Sequence, residues 1–260
     1  MAIAFVNTAT ASFGSAAASL ALPATSLTTG DDIIIDVCLL DTTKSVSSIT
    51  DTAGNTYTQL AAVNNGTGVR IEKWGKHNAT GNAANIVTVS FSGNTACAIE
   101  STQFSGSTGF GNTGTATGTN AGPRAFATSQ DANSWVQVGF AISGASTDTI
   151  SALLGNLRGS KVDASAGSIP EIASADNTNG AGLCGIDSSV LLNVNTDKWA
   201  AAAVELRTGS TGSTYADYTG RLPVDGTPLA TDERLINVKE PLAFSSASTP
   251  TPASGQLWPI

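Results

Sequence analysis

The chain has a single histidine, and that limits its catalytic options. A Ser-His-Asp arrangement needs a histidine as general base and an acid to orient it. The histidine is His77, in the polar stretch Lys76-His77-Asn78-Ala79-Thr80-Gly81, where a solvated loop position is expected. One histidine and three scattered cysteines, Cys38, Cys97 and Cys184, do not give the ligand spacing of a zinc site. Paired carboxylates could hydrolyse a glycosidic bond. The aspartates Asp31, Asp32, Asp51, Asp131, Asp148, Asp176, Asp187 and Asp197 mostly stand beside turn residues, where Asp bonds its own backbone. Glu100 and Glu205 lie in strand-like runs and could face each other across a sheet; solvent-facing positions are expected for both.

Three further patterns fail for want of context. Gly109-Phe-Gly111-Asn-Thr-Gly114 has the spacing of a dinucleotide fingerprint, but Thr-Ala-Thr-Gly-Thr-Asn follows and cannot open the helix that would receive a pyrophosphate. Asp176-Asn-Thr-Asn-Gly180 invites a calcium reading. With Gly180 as the turn glycine, Ala175 and Ile186 take the first and last ligand positions, so it is not an EF-hand. Trp74, Trp135 and Trp199 could stack on sugars, yet tryptophans on separate strands usually pack in cores. No catalytic, cofactor-binding or metal-binding residue is assigned, no cofactor is expected, and the expectation is that the protein is not an enzyme.

Composition points to what must position these residues. Only 12% of the 260 residues are charged and 6% aromatic, while Gly, Ala, Ser, Thr and Asn dominate. That suits short strands joined by many turns and not helices. The formal net charge of −8 with no basic cluster makes a poor nucleic-acid binder, since phosphate contacts need Lys and Arg on one face, and disfavours anionic membranes; neither partner is expected. No apolar run approaches the length of a membrane span. The first residues, Met-Ala-Ile-Ala-Phe-Val-Asn, lack a basic segment before an apolar stretch, so folding in a reducing cytoplasm is expected. Cys38 and Cys97 lie in apolar runs and are expected to be buried thiols.

The strand candidates are residues 2–6, 32–40, 46–50, 56–63, 69–74, 85–91, 97–104, 135–142, 189–194 and 199–206. Residues 149–156 read as a strand or a helical turn. Val87, Val89 and Phe91 alternate with Thr88 and Ser90, the period of a half-buried strand. Gly54 and Asn55 mark one turn, and Asn64-Asn65-Gly66 marks a hairpin. Residues 105–122 and 159–181 are small and polar and read as loops. About ten strands at this spacing predict an all-β fold, an antiparallel β-sandwich or jelly roll, over residues 1–207.

Residues 208–260 read differently. A Gly/Ser/Thr linker leads into a stretch holding Pro223, Pro228, Pro241, Pro250, Pro252 and Pro259, which favours extended backbone. Its scattered large side chains, Tyr215, Tyr218, Leu222, Leu235, Ile236, Phe244, Leu257 and Trp258, are too sparse for a core. They are expected to lie against neighbouring subunits as an extended Pro-rich C-terminal arm.

Four runs carry a resemblance: Ile49-Thr-Asp51-Thr-Ala-Gly54-Asn55-Thr-Tyr57-Thr, Asn85-Ile-Val-Thr-Val-Ser-Phe-Ser-Gly93, Glu100-Ser-Thr-Gln-Phe-Ser-Gly106 and Trp199-Ala-Ala-Ala-Ala-Val-Glu-Leu206. In that order they resemble β-sandwich modules of phage virion proteins and bacterial surface proteins, over residues 30–207. With no secretion signal expected, the resemblance implies a virion structural protein assembled in the host cytoplasm, most simply a capsid decoration or cement protein. The partners implied are copies of itself, a trimer being favoured, and the major capsid protein or another virion protein. The alternatives are a tail or receptor-binding component, a lectin-like carbohydrate-binding module and, last, a hydrolase.

Overall fold

The computed structural model describes residues 2–66, 68–144, 149–163, 169–178, 185–193 and 197–209. The chain divides into two units, Met1–Gly212 and Ser213–Ile260. The eight arm residues named above, with Cys184 and Asp148, lie outside the described residues.

The first unit is antiparallel β throughout, with no helix among the described residues. Its strands are β1 (Ala4–Ala21), β2 (Thr25–Leu27), β3 (Asp32–Leu39), β4 (Val46–Asp51), β5 (Thr58–Asn65), β6 (Val69–Lys76), β7 (Asn82–Asn85), β8 (Val87–Ser105), β9 (Phe110–Gly118), β10 (Arg124–Thr128), β11 (Trp135–Gly144), β12 (Ile150–Leu154), β13 (Asn156–Val162), β14 (Ile169–Thr178), β15 (Gly185–Leu192) and β16 (Lys198–Leu206). The first large sheet runs β1-β8-β3-β6-β5, with β4 also on β8. The second runs β9-β16-β11-β14-β13. Adding eight to every strand of the first order gives the second. The smaller pairings repeat as well: β2 pairs β7 and β10 pairs β15, with β12 added on the far side of β15.

The expected sandwich is therefore two jelly rolls in tandem, residues 4–105 and 110–206, each with the strand order of a double Greek key. The two halves also end alike. Gly106-Ser107-Thr108-Gly109 follows β8, and Gly209-Ser210-Thr211-Gly212 comes shortly after β16. Gly106 (φ 75°) and Gly209 (φ 67°) share the left-handed conformation that glycine adopts most cheaply.

The two large sheets face each other, and each also covers a core on its other face. Ile33, Ile35, Val37, Val89, Phe91, Cys97 and Ile99 fill the first jelly roll. Val136, Val138, Phe140, Ala173, Ala175, Val190, Ala201 and Ala203 fill the second. Between the sheets, Cys38, Val69, Ile71 and Ala98 meet Ala141, Ile172, Ala200 and Ala202. Strands covered on both sides lose the alternation of half-buried strands. Thus β3 is buried at every position, as is β14 from Ile169 to Asp176.

Several expectations need correction. Residues 85–91 and 97–104 belong to one long strand, β8, from residue 87 on; its first half pairs β4 and its second half pairs β3. The opening strand runs on to Ala21. Residues 149–156 contain a strand, β12. The supposed loop 105–122 contains β9, an edge strand on β16. Its glycines answer close contacts: a methyl on Gly114 would overlap the Phe126 carbonyl oxygen, and one on Gly118 the Trp199 ring. The supposed loop 159–181 contains part of β13 and all of β14, whose small residues fit a layer covered on both faces.

Candidate functional site

The most unusual chemistry lies between the two large sheets. In the antiparallel ladder Asp36 of β3 stands opposite Lys73 of β6 on one side and opposite Glu100 of β8 on the other. All three project toward the second sheet, on the face that carries Cys38, Ile71 and Ala98. All three are fully buried. Lys73 Nζ lies 2.6 Å from Asp36 Oδ1 and also donates to Gln137 Oε1 of β11. Gln137 Nε2 in turn donates to Asp36 Oδ2 at 2.8 Å. Glu100 Oε1 accepts from Ser174 Oγ at 2.7 Å and Thr8 Oγ1 at 3.0 Å, while its Oε2 has no partner.

The second sheet leaves room for this row. A methyl on Gly139 would collide with the Asp36 carboxylate, and one on Gly159 with Glu100 Oε1. Burial disfavours charge. It pushes the Glu100 carboxyl up to about 8, with Asp36 adding to the effect and the bonds from Ser174 and Thr8 opposing it. Desolvation also lowers the Lys73 ammonium, against the pull of Asp36 and Glu100. An amine tending to neutrality and a protonated acid thus flank one carboxyl group.

Glu100 and Glu205 do not face each other, nor do they face solvent. Glu100 lies between the two large sheets. Glu205 lies on the opposite face of the second, where its carboxylate accepts backbone N–H bonds from Asn112 (3.2 Å), Gln130 (2.6 Å) and Asp131 (3.3 Å). A side chain on Gly111 would strike it. Its role is to hold the start of β9 and the turn before β11, and the pair cannot act on one glycosidic bond.

His77 is more constrained than its loop suggested. Its Nδ1 lies 2.6 Å from Oδ1 of Asp32, which also accepts from Asn78 N at 3.0 Å. The Asp32 side chain is fully buried, while that of His77 is 45% exposed. The nearby Ser107 hydroxyl is engaged with the carbonyl and N–H of Gly109.

The remaining candidates are structural. The Asp51 carboxylate accepts from Asn55 N and Nδ2, Tyr57 hydroxyl and Asn85 Nδ2. Burial alone would raise it, but these bonds outweigh burial and hold it below the ordinary carboxylate range. The Asp51-x-x-Gly54-Asn55-x-Tyr57 run is thus a side-chain knot around a turn. Asp176 pairs with Arg158 at 2.5 and 2.9 Å, and Arg158 stacks 4.4 Å over the Phe5 ring. Trp199 is buried, with Nε1 donating to Asn120. Trp74 and Trp135 are half-buried, donating to Glu72 and packing edge-on against Phe104 respectively. Cys38 and Cys97 are buried free thiols, and burial pushes Cys97 up to about 12.

On the surface, the β10-β15-β12 sheet turns apolar side chains outward. Phe126 is 57% exposed, Leu153 60%, Leu191 44% and Leu154 41%. Ala125 and Ala127 on the other face of β10 are buried, as strand alternation requires.

The site and fold together define an all-β protein of paired antiparallel sandwiches. No family model, curated protein or solved structure matches the chain.

Proposed function

We propose that this is a structural protein of a phage-type virion, in the position of a capsid decoration or cement protein, acting by burial of surface between subunits and not by turnover. The observation that carries the reading is the outward apolar face made by Phe126, Leu153, Leu154 and Leu191. Several large apolar side chains left exposed on one small sheet are what a protein contact would cover. The jelly roll is a recurrent capsid module, and the resemblance of residues 30–207 points the same way. The partner is a neighbouring subunit in the particle, with the anchors of residues 215–260 adding contacts of their own.

The repeated strand order favours a second position for the same protein, as a shell subunit itself. Three copies of a chain with two like jelly rolls present six similar modules around one three-fold axis. Light scattering of the full chain beside a variant truncated after Gly209 tests the proposal. The full chain should be a trimer or larger, the truncated chain should associate more weakly, and two monomers at all concentrations would refute it. Assembly of the purified protein into closed particles on its own would select the shell position. Binding only to a preformed shell would select the decoration position.

A further inference from the structure

We propose that Lys73 and Asp36 join in an intramolecular isopeptide bond between β6 and β3, formed spontaneously after folding, with Glu100 moving the protons and Gln137 holding the reacting carboxyl. This does not rest on the virion reading.

The geometry supplies each requirement. Nucleophile and electrophile are fixed opposite each other by the ladder, Asp36 against Lys73. Nζ lies 2.6 Å from Oδ1, so the nitrogen is held beside the carboxyl group it would attack. Both groups are sealed from water, and water would otherwise favour the separate acid and amine. An amine is nucleophilic only when neutral, and a lysine is activated by desolvation; burial acts on Lys73 in that direction. Glu100, opposite Asp36 on its other side, is raised to about 8 by burial and so carries a proton in the strand next to the pair. Its Oε2 has no hydrogen-bond partner. Gln137 Nε2 donates to Asp36 Oδ2, the oxygen that bears charge when the carbon becomes tetrahedral.

The step balances without any co-reactant. A proton passes from the Lys73 ammonium to the Asp36 carboxylate, giving a neutral amine and a neutral acid. Nζ attacks Cγ of Asp36, and the Nζ–Cγ bond forms. Glu100 gives its proton to the departing oxygen and takes one from the nitrogen. The Cγ–Oδ1 bond breaks, one water leaves, and Glu100 ends protonated as it began. A buried salt bridge becomes a neutral amide, which removes the cost of holding two ions in a dry layer and ties two strands covalently.

Intact-mass measurement of the full chain, denatured just before ionisation, reads the outcome directly. The wild-type protein should be lighter than its sequence by one water. Fragmentation of a digest should yield one branched peptide joining Lys73 to Asp36. Lys73→Met and Asp36→Ala should each carry full mass, and folded Glu100→Gln should carry full mass or lose water at least tenfold more slowly. A wild-type protein at full mass would overturn the proposal without recourse to any variant. So would loss of ammonia, which would place the bond at Gln137, or water loss mapped elsewhere in the chain. Unchanged water loss in Glu100→Gln would overturn the assignment of Glu100.

Discussion

The two jelly rolls share a strand order and differ in what they bring to the layer between them. The first contributes bulk and charge: Asp36, Lys73 and Glu100 on adjacent strands. The second contributes space and hydrogen bonds: Gly139 and Gly159 leave room, and Gln137 and Ser174 supply partners. Neither face would be satisfied alone, since ions need partners and glycines leave gaps. The outer faces differ in degree: the first leaves Val6, Phe13 and Ile86 exposed, whereas in the second Phe126 and Leu153 are more than half exposed. The halves share one backbone plan and divide the chemistry, one carrying the buried charged row and the other completing it.

The largest effect that can break this comparison comes from removing half of the central pair. Asp36→Ala leaves Lys73 unpaired in a dry layer and removes the proposed link to it, and is expected to cost at least about 3–5 kcal/mol, read as a lower urea midpoint. Gly139→Ala attacks the same contact from the other jelly roll by driving a methyl into Asp36, and is expected to cost about 1–3 kcal/mol. If the glycine change were neutral, the second sheet would not be shaped around the first.

A further effect comes with pH. The folded-state value of Glu100 is raised, from 4.5 to about 8. Between these values the folded protein holds a proton that the unfolded chain has released. Stability contributed by this group is therefore full below pH 4.5 and falls as pH rises toward 8. Unfolding midpoints of wild type should decline across that window more steeply than those of Glu100→Gln, which cannot ionise. Parallel profiles would show that Glu100 is ionised throughout.

Much of this was legible in the chain and some was not. The β-branched run of β3, the alternation at Val87–Phe91 and the Asn64-Asn65-Gly66 hairpin marked their strands because local propensity and tertiary environment agree there. The strands β9 and β14 were hidden because tight approach selects glycine, alanine and serine, the same residues that make loops. The repeated strand order was hidden because it leaves little trace in sequence beyond the shared Gly-Ser-Thr-Gly. The central row did leave a signal. Asp36 interrupts Ile33-Ile-Ile-Asp-Val-Cys-Leu-Leu40, and Lys73 falls on the same alternate face as Val69 and Ile71. Charges at buried positions of a strand pattern mark special sites, whereas an acid beside a turn, such as Asp51, bonds the turn itself. Pairing across strands, which joins Asp36 to Lys73 and Glu100, cannot be read from spacing along the chain.

The smallest expected effect on stability tests the outer face. Phe126 and Leu153 are more than half exposed, so replacing each with serine removes little buried apolar area, and the change should stay within about 0.5 kcal/mol. Serine also tolerates strand geometry. The same double substitution should have a large effect on association, because a large apolar side chain that becomes buried at an interface contributes on the order of 2 kcal/mol. Two such losses would weaken a contact by about two to three powers of ten. Unfolding midpoints should coincide for wild type and variant while light scattering shows the variant dissociating at higher concentration. Equal dissociation with equal stability would mean that the apolar face of β10, β15 and β12 is not a contact. Lower stability in the variant would mean that these side chains serve the fold of the second jelly roll, and the division of roles between the two halves would then rest on the central layer alone.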